Sequence, residues 1–283
     1  MYSSSPDNRR TGHLTRQSTS AWTPSPLVAG SAVSHAGAVA FAVVWPDAWI
    51  QAAGAVALNH VLLTAAGMWP RSQLLGPNWT CLPAAAAKRG EMAITIDDGP
   101  DPEVTPQVLE ILDHYGVRAT FFCIGTRAAQ HPELCREMVR RGHAVESHSY
   151  AHRWYFQLLG LGSLARELQS AQDILTEITG QRPLFFRAPA GLRSPLLDPV
   201  LARMGLRLAS WTKRGFDTRR NDADRVTASL LRDLRGGDIL LLHDGNAQRT
   251  RSGRAVVVDV LPQVLDAARH ARLTPVTLRS LID

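Results

Sequence analysis

Two adjacent carboxylates end an apolar segment near the middle of the chain. The segment "MAITIDDGP" begins at Met92 and has the composition of a buried strand, and Asp97 and Asp98 follow at its end. Neighbouring anions repel each other and lose solvation on burial, so the pair requires compensating positive charge.

A histidine pair further along the chain is suited to supply a metal ion there. His148 and His152 are four residues apart in "ESHSYAH", and on a helical turn both rings face one side. Two imidazoles and one carboxylate form a metal triad that leaves coordination positions open for water and substrate. We therefore predict a divalent-metal site in which one aspartate binds the metal and its neighbour moves protons. Without the acidic pair, two surface histidines would be the better interpretation.

Three further polar residues follow strand-like segments in the second half of the chain. Arg187 in "FFRAPAG" is a natural partner for a carboxylate at the mouth of a site. His243 follows the apolar run "ILLL" and titrates near neutral pH, which suits a general acid. Asp217 in "WTKRGFDT" is placed to orient His243 and hold it protonated.

The elements that must position these residues alternate from about residue 90 onward. Apolar runs predict strands over 92–96, 119–124, 143–146, 184–186, 206–210, 239–242 and 273–276. Amphipathic stretches predict helices over 105–115, 133–141, 164–179, 222–234 and 256–271. This alternation implies an α/β fold with parallel strands and outer helices, as a barrel or an open sheet, and with functional residues at the carboxyl ends of strands.

Two uncharged segments, 27–45 and 49–69, precede the alternating region, and each is about long enough to cross a bilayer of roughly 30 Å. Tryptophans lie at or near their ends, as in interfacial aromatic belts: Trp22, Trp45, Trp49 and Trp69. We predict a transmembrane hairpin, against the alternative of two alanine-rich soluble helices packed on the domain that follows. A cleaved signal peptide fits poorly, because the first run is long and a second follows.

The predicted organisation is a disordered basic tail over 1–25, the hairpin over 26–70, a linker over 71–90 and an α/β domain over 91–283. Basic residues flank the hairpin on its outer sides, whereas its connection carries only an acid. The positive-inside rule therefore predicts that the α/β domain faces the cytoplasm.

The composition excludes several classes of protein. A content of 45% hydrophobic and 20% charged residues describes a globular chain. The net charge of +6 favours anionic partners such as membrane surfaces or phosphate-bearing substrates, and no nucleic-acid-binding motif is present. The three cysteines are odd in number and lack CxxC spacing, which argues against a disulfide framework and is consistent with a reducing compartment.

Five motifs together resemble the polysaccharide deacetylase family (carbohydrate esterase family 4). They are "TIDDGP", "HSYAH", "FRAPAG", "WTKRGFDT" and "LLLHDG", and their order and spacing match over about residues 92–278. The resemblance implies a distorted (β/α) barrel that hydrolyses the N-acetyl group of an amino sugar with a divalent metal. That metal is expected to be Zn²⁺, with Co²⁺, Ni²⁺ or Mn²⁺ as alternatives.

The resemblance also implies a role for each candidate residue. The metal ligands are Asp98, His148 and His152, and the other roles are the base Asp97, its orienting partner Arg187, the acid His243 with Asp217, and Ala190 as the oxyanion donor through its backbone N–H.

Three positions depart from the family pattern and alter the predicted pocket. Ala190, Thr218 and Arg214 stand where tyrosine, tryptophan and an acid are common. The donor at Ala190 is a backbone group, so its role survives. The resemblance therefore supports the reaction type more strongly than the substrate.

Two basic loops follow predicted strands: Lys213, Arg214, Arg219 and Arg220 in one, and Arg249, Arg251 and Arg254 in the other. We predict a cradle for phosphate, against the alternative of a solvated basic rim. Together with a hairpin facing the cytoplasm, the cradle favours a lipid-linked amino sugar, carrying an acetyl or formyl group, over a cell-wall polymer.

Two other classes of function compete with hydrolysis. A catalytically silent, membrane-anchored glycan-binding protein predicts the loss of a catalytic residue, and none of the candidates is lost. A non-haem iron oxygenase shares the triad but leaves Asp97, Arg187 and His243 without roles.

Overall fold

The computed structural model of the protein describes residues 22–282, so the predicted basic tail lies mainly outside the described residues. The helices are α1 (Pro26–Val44), α2 (Trp49–Met68), α3 (Ala84–Lys88), α4 (Val104–His114), α5 (Gly125–Gln130), α6 (Pro132–Arg140), α7 (Leu161–Thr179), α8 (Leu197–Met204), α9 (Ala223–Leu231) and α10 (Val256–His270). The strands are β1 (Glu91–Asp97), β2 (Thr120–Cys123), β3 (Ala144–Ser147), β4 (Phe185–Phe186), β5 (Arg207–Leu208), β6 (Lys213–Arg214), β7 (Ile239–His243) and β8 (Thr274–Pro275).

The eight strands form one parallel sheet in the order β5-β4-β3-β2-β1-β7-β6, and β8 pairs with the start of β1. The longest apolar strands, β1 and β7, are neighbours at its centre. Within residues 22–282 no ladder joins β5 to β6, so the curved sheet is incompletely closed. The predicted distorted (β/α) barrel is confirmed.

The alternation along β1 separates two layers of the core. Ile94 and Ile96 pack outward with helices α4 and α10, whereas Ala93 belongs to the inner cluster that includes Phe122, Phe185 and Leu241. Because side chains in a strand alternate between faces, Asp97 lies on the inner face at the carboxyl end. The strand that supplies the core thus also aims its last carboxylate into the barrel.

The two N-terminal helices form an antiparallel hairpin that packs on the rest of the chain only near one end. Leu63 and Ala66 of α2 join Leu75 in a small cluster there. Most apolar side chains along the hairpin are exposed, including Val33, Val43, Ile50 and Leu58. Both helices are long and apolar enough to cross a membrane.

The sequence pattern missed several short elements. The α5 and α8 helices and the two-residue strand β6 were not predicted, because each is too short for a clear period. The predicted helix over 222–234 begins correctly, since the Asp222 side chain accepts a hydrogen bond from the Arg225 N–H. It ends at Leu231, because Arg232 has a ψ of 116°, outside the helical region, and Asp233 has a φ of 51°.

A buried acid on β3 holds the amino end of the neighbouring strand β4. Glu146 on β3 is fully buried and accepts hydrogen bonds from the N–H groups of Leu184 and Phe185 and from the Arg279 guanidinium. Burial raises the pKa of Glu146 to about 7, although Arg279 and the backbone donors act in the opposite direction.

This raised pKa predicts a stability that falls with pH. The unfolded chain loses the Glu146 proton near pH 4.5 and the folded chain near pH 7, so stability is lost as pH rises through that interval. The loss amounts to about 3 kcal/mol. We expect the melting temperature of Glu146→Gln, which keeps the acceptor oxygen, to fall less than that of the wild type between pH 5 and 7.5. Parallel curves for the two proteins would contradict this role of Glu146.

Candidate active site

The register of the central strands brings the predicted residues to one edge of the sheet. Asp97 at the end of β1 is paired with His243 at the end of β7. Ser147 at the end of β3 is paired with Phe186 on β4, so His148 and Arg187 follow at the same edge. One pocket of about 190 Å³ lies there, and its lining includes Asp97, Asp98, His148, His152, Ala190 and His243.

Arg187 compensates the charge of Asp97 directly. Its Nη1 donates to Asp97 Oδ1 at 2.6 Å and to Thr95 Oγ1 at 2.8 Å. Its remaining donors reach the carbonyls of Ala209 and Ser210, and the guanidinium lies 4.1 Å from the centre of the Phe122 ring. Arg187 is fully buried, so this arrangement fixes the orientation of Asp97.

Asp98, His148 and His152 form a cluster with the dimensions of a metal site. Asp98 Oδ1 lies 3.2 Å from Nε2 of His148 and 3.2 Å from Nε2 of His152. All three candidate ligand atoms lie within 4.8 Å of one another. Two ligands of a tetrahedral ion with bonds of about 2.0–2.1 Å are separated by roughly 3.3 Å, which matches the two 3.2 Å distances from Asp98 Oδ1.

The hydrogen bonds around this cluster also fit a cation. His148 Nδ1 donates to the Arg187 carbonyl at 2.8 Å, which leaves Nε2 with a lone pair towards Asp98. Asp98 Oδ1 is buried and has no hydrogen-bond partner among the described residues, whereas Oδ2 accepts from Asn246. Burial and the neighbouring His148 lower the pKa of His152, so its ring is neutral at pH 7. Two imidazole lone pairs facing one carboxylate oxygen are complementary to a divalent cation.

The prediction of a helical turn between the two histidines is wrong. Residues 148–152 form a loop in which Ser149 and His152 have φ values of 65° and 48°. The Ser149 hydroxyl accepts a hydrogen bond from the His152 N–H and closes this loop. The rings still converge, with centroids 4.8 Å apart, because the loop folds back on itself.

His243 and Asp217 form the predicted pair on the other side of the pocket. Asp217 is fully buried, and its Oδ1 lies 2.8 Å from His243 Nδ1 while its Oδ2 accepts from the His243 N–H. Burial opposes protonation of the ring, but the Asp217 carboxylate outweighs it and raises the pKa of His243 to about 8.

Ala190 lies in the loop that follows β4, with a φ of 55° and a ψ of 6°. Its neighbour Gly191 has a φ of 74° and is packed so tightly that an added Cβ would lie 2.6 Å from Trp211 and 2.7 Å from Pro70. The contact between Gly191 and Pro70, just after α2, therefore fixes the loop from which Ala190 lines the pocket.

Only one of the two basic loops contributes to the pocket. Arg214 and Arg219 line it, and Arg214 packs on the rings of Trp211 and Phe216. In the other loop, Arg249 is paired with Glu103, and Arg254 is paired with Asp259. The expected phosphate cradle is thus reduced to the first loop.

Sequence reasoning missed Asn246, which orients the carboxylate of Asp98. Its amide donates to Asp98 Oδ2 at 3.0 Å, and Arg127 links the Asn246 carbonyl to the backbone oxygen of Asp98. The available signal was position, because Asn246 lies three residues after His243 at the same strand end.

Comparisons with known proteins agree with this geometry. A family model described as polysaccharide deacetylase matches residues 84–209. A chitooligosaccharide deacetylase of Bradyrhizobium sp. is 37% identical over 152 residues, which cover 54% of this chain and 69% of the relative. A peptidoglycan-N-acetylglucosamine deacetylase of Bacillus cereus is 33% identical over 180 residues, which cover 61% of this chain and 81% of the relative.

A solved structure extends the agreement to the fold. The family 4 carbohydrate esterase from Streptomyces lividans, in complex with acetate, has a TM-score of 0.60 and 30% identity, and the match covers 66% of this chain and 91% of the esterase. The predicted resemblance is confirmed: this chain belongs to the polysaccharide deacetylase family, a family of carbohydrate N-deacetylases.

Proposed function

We propose that this protein hydrolyses the N-acyl group, most simply acetyl, of an amino sugar, with Asp97 as base and His243 as acid around a divalent metal. The observation that carries the proposal is the grouping of Asp98, His148 and His152 between two buried ion pairs, Asp97–Arg187 and His243–Asp217. A glycan-binding protein without catalysis would have no use for both pairs.

The metal would be held by Asp98 Oδ1 and by the Nε2 atoms of His148 and His152. A divalent cation bound there polarises an amide carbonyl and acidifies water, and Zn²⁺ suits a carboxylate with two imidazoles. Asn246 and the Arg187 carbonyl orient two of these ligands from behind.

Asp97 accepts the proton of the attacking water. Arg187 occupies its Oδ1, and Oδ2 makes no hydrogen bond in the part of the chain described, so Oδ2 is free to act as the base. The new C–O bond gives a tetrahedral oxyanion, which the Ala190 N–H stabilises. His243 then donates a proton to the nitrogen as the C–N bond breaks, and the products are a carboxylate and a free amine.

Two features of the pocket support the proposal of a negatively charged substrate presented at a membrane. Arg214 and Arg219 line the pocket, and Pro70, just after α2, packs against the wall formed by Gly191. We extend the proposal to a hairpin that lies in a membrane and to a phosphate-bearing, lipid-linked amino sugar as the substrate.

The primary experiment is acetate release by the purified full chain in detergent. N-acetylglucosamine oligomers and a lipid-diphosphate-linked N-acetylglucosamine are assayed in parallel. We expect metal-dependent release that is abolished by a chelator and by His148→Ala, with higher kcat/KM on the lipid-linked substrate. His114→Ala is the matched control, since His114 is exposed at the end of α4.

Bound metal, measured by mass spectrometry, separates loss of the ion from loss of chemistry in these variants. Equal kcat/KM on both substrates would remove the lipid-linked assignment and leave the deacetylase. No release of acetate or formate from any substrate, with one metal bound per chain, would contradict the hydrolase.

His243 predicts a basic limb in the pH profile. The ring is protonated below its pKa of about 8, so kcat is expected to fall as pH rises through that value. Asp217→Asn removes the charge that holds the proton, and the limb should move to lower pH by about one unit or more. His243→Gln should lower kcat by roughly 10²–10⁴-fold and remove the limb. An unshifted limb in Asp217→Asn would exclude His243 as the titrating acid.

Labelling of a natural cysteine can show on which side of the membrane the α/β domain lies. Cys81 is exposed on the linker before α3, whereas Cys123 and Cys135 are buried. If the domain faces the cytoplasm, a membrane-impermeant maleimide should label Cys81 in inside-out vesicles and leave it unlabelled in right-side-out vesicles. Cys81→Ser is the control for specificity. Labelling of right-side-out vesicles would reverse the orientation.

A further inference from the structure

Arg127 on α5 contacts the residue that carries the metal-binding carboxylate at two points. Its Nη1 donates to the backbone carbonyl of Asp98 at 2.7 Å, and its Nη2 donates to the side-chain carbonyl of Asn246 at 3.0 Å. The Asn246 amide in turn donates to Asp98 Oδ2 at 3.0 Å. One guanidinium therefore holds the backbone of Asp98 directly and its carboxylate through one intermediate side chain.

The backbone of Asp98 requires this kind of support. Its φ is 73°, in the left-handed region that residues other than glycine keep only where the surrounding structure holds them. The approach of the guanidinium is also close, since an added Cβ on Gly245 would lie 2.1 Å from Arg127 Nη1 and 2.3 Å from the Asp98 carbonyl oxygen. Only glycine at position 245 leaves room for the hydrogen bond between them.

The two residues before Arg127 hold the loop that carries the histidines. The N–H groups of Gly125 and Thr126 donate to the carbonyls of Ser149 and Tyr150, at 3.0 Å and 2.9 Å. These carbonyls lie between the two candidate histidine ligands. An added Cβ on Gly125 would lie 3.2 Å from the Tyr150 Cα, so the two segments are closely packed. The start of α5 therefore contacts both loops that carry the three ligands.

The positive charge of Arg127 does not explain its place beside a cation site. A guanidinium close to such a site repels the cation, so the charge alone opposes metal binding. The contribution of Arg127 to metal affinity therefore comes from the position that its two hydrogen bonds give to Asp98. Groups that orient a metal ligand from behind in this way typically contribute roughly 10–100-fold to metal affinity.

We propose that Arg127 is a positioning residue for the metal site, which holds the Asp98 backbone directly and the Asp98 carboxylate through Asn246. With Oδ2 held in this way, Asp98 offers a cation the single oxygen Oδ1, and coordination positions stay open for water and substrate. The inference rests on the proposed metal site, and it is independent of the sugar and the acyl group on which the protein acts.

The test measures metal binding in the absence of substrate. The purified full chain in detergent is stripped with a chelator and titrated with Co²⁺, whose visible absorption depends on the number and geometry of its ligands. Competition with a chelator of known affinity gives the Kd. Arg127→Met should raise the Kd by roughly 10–100-fold and change the absorption spectrum, because the Asp98 carboxylate is then free to turn.

Two further variants and a matched control separate position from charge. Arg127→Lys keeps the charge but lacks the planar fork that reaches both acceptors, so it should also raise the Kd. Asn246→Ala removes only the contact to the carboxylate and should raise the Kd by less than Arg127→Met. Arg136→Met on α6, where Arg136 pairs with Glu133 of the same helix, should bind Co²⁺ like the wild type.

The melting temperature of each metal-free variant is measured in parallel. A lower melting temperature with an unchanged Kd in Arg127→Met would assign Arg127 a purely structural role and overturn the proposal. Tighter Co²⁺ binding by Arg127→Met would overturn it as well, because only the charge would then matter. If Arg127→Met does not fold, wild-type Kd values in both Arg127→Lys and Asn246→Ala would refute the proposal.

The wild type distinguishes this inference from the proposed function. A wild-type chain that binds Co²⁺ while Arg127→Met binds it equally well refutes the role of Arg127 alone. A wild-type chain that binds no Co²⁺ refutes the metal site, and the proposed hydrolysis with it.

Discussion

The ion pair between Arg187 and Asp97 is the interaction on which the rest of the site depends. Asp97 and Asp98 are adjacent at the end of the central strand, and only Asp98 belongs to the cluster with His148 and His152. The Arg187 guanidinium neutralises Asp97, and the Arg187 backbone carbonyl accepts a hydrogen bond that orients His148. Removing one partner of a buried pair leaves an uncompensated charge that costs about 3–5 kcal/mol. A single residue therefore positions both Asp97, through its side chain, and His148, through its backbone carbonyl.

The parallel sheet explains why residues distant in sequence meet around this pair. Each functional group lies at or just after the carboxyl end of a strand, and in-register pairing of β1 with β7 and of β3 with β4 aligns these ends. The inner face of β1 then delivers Thr95 and Asp97 to Arg187. Two ion pairs therefore lie on either side of the histidine cluster. One joins Asp97 to Arg187, and the other joins His243 to Asp217. Asp97 and His243 each have a buried partner of opposite charge, Arg187 and Asp217 respectively.

Strand ends could be predicted from the sequence because apolar runs and the polar residues after them are local signals. Asp97, Asp98, Arg187 and His243 were found in this way. The path between His148 and His152 could not be, since it depends on two residues with positive φ held by tertiary packing. The pairing of Arg249 with Glu103, which are far apart in sequence, likewise appears only in the folded chain. Residues with local signals were predicted, and those defined by long-range contacts were not.

The hairpin and the loop after β4 are packed against each other. In the loop after β4, Arg193 contacts Gly67 of α2, and Gly191 contacts Pro70, which lies just after α2. The end of the hairpin therefore sets the position of this loop. The same loop lines the pocket that contains Asp98, His148 and His152. A domain tethered by a flexible linker could turn its pocket in any direction. Here the close packing of helix, proline and loop fixes the pocket relative to the hairpin, and a membrane around the hairpin would therefore fix the direction from which a substrate approaches.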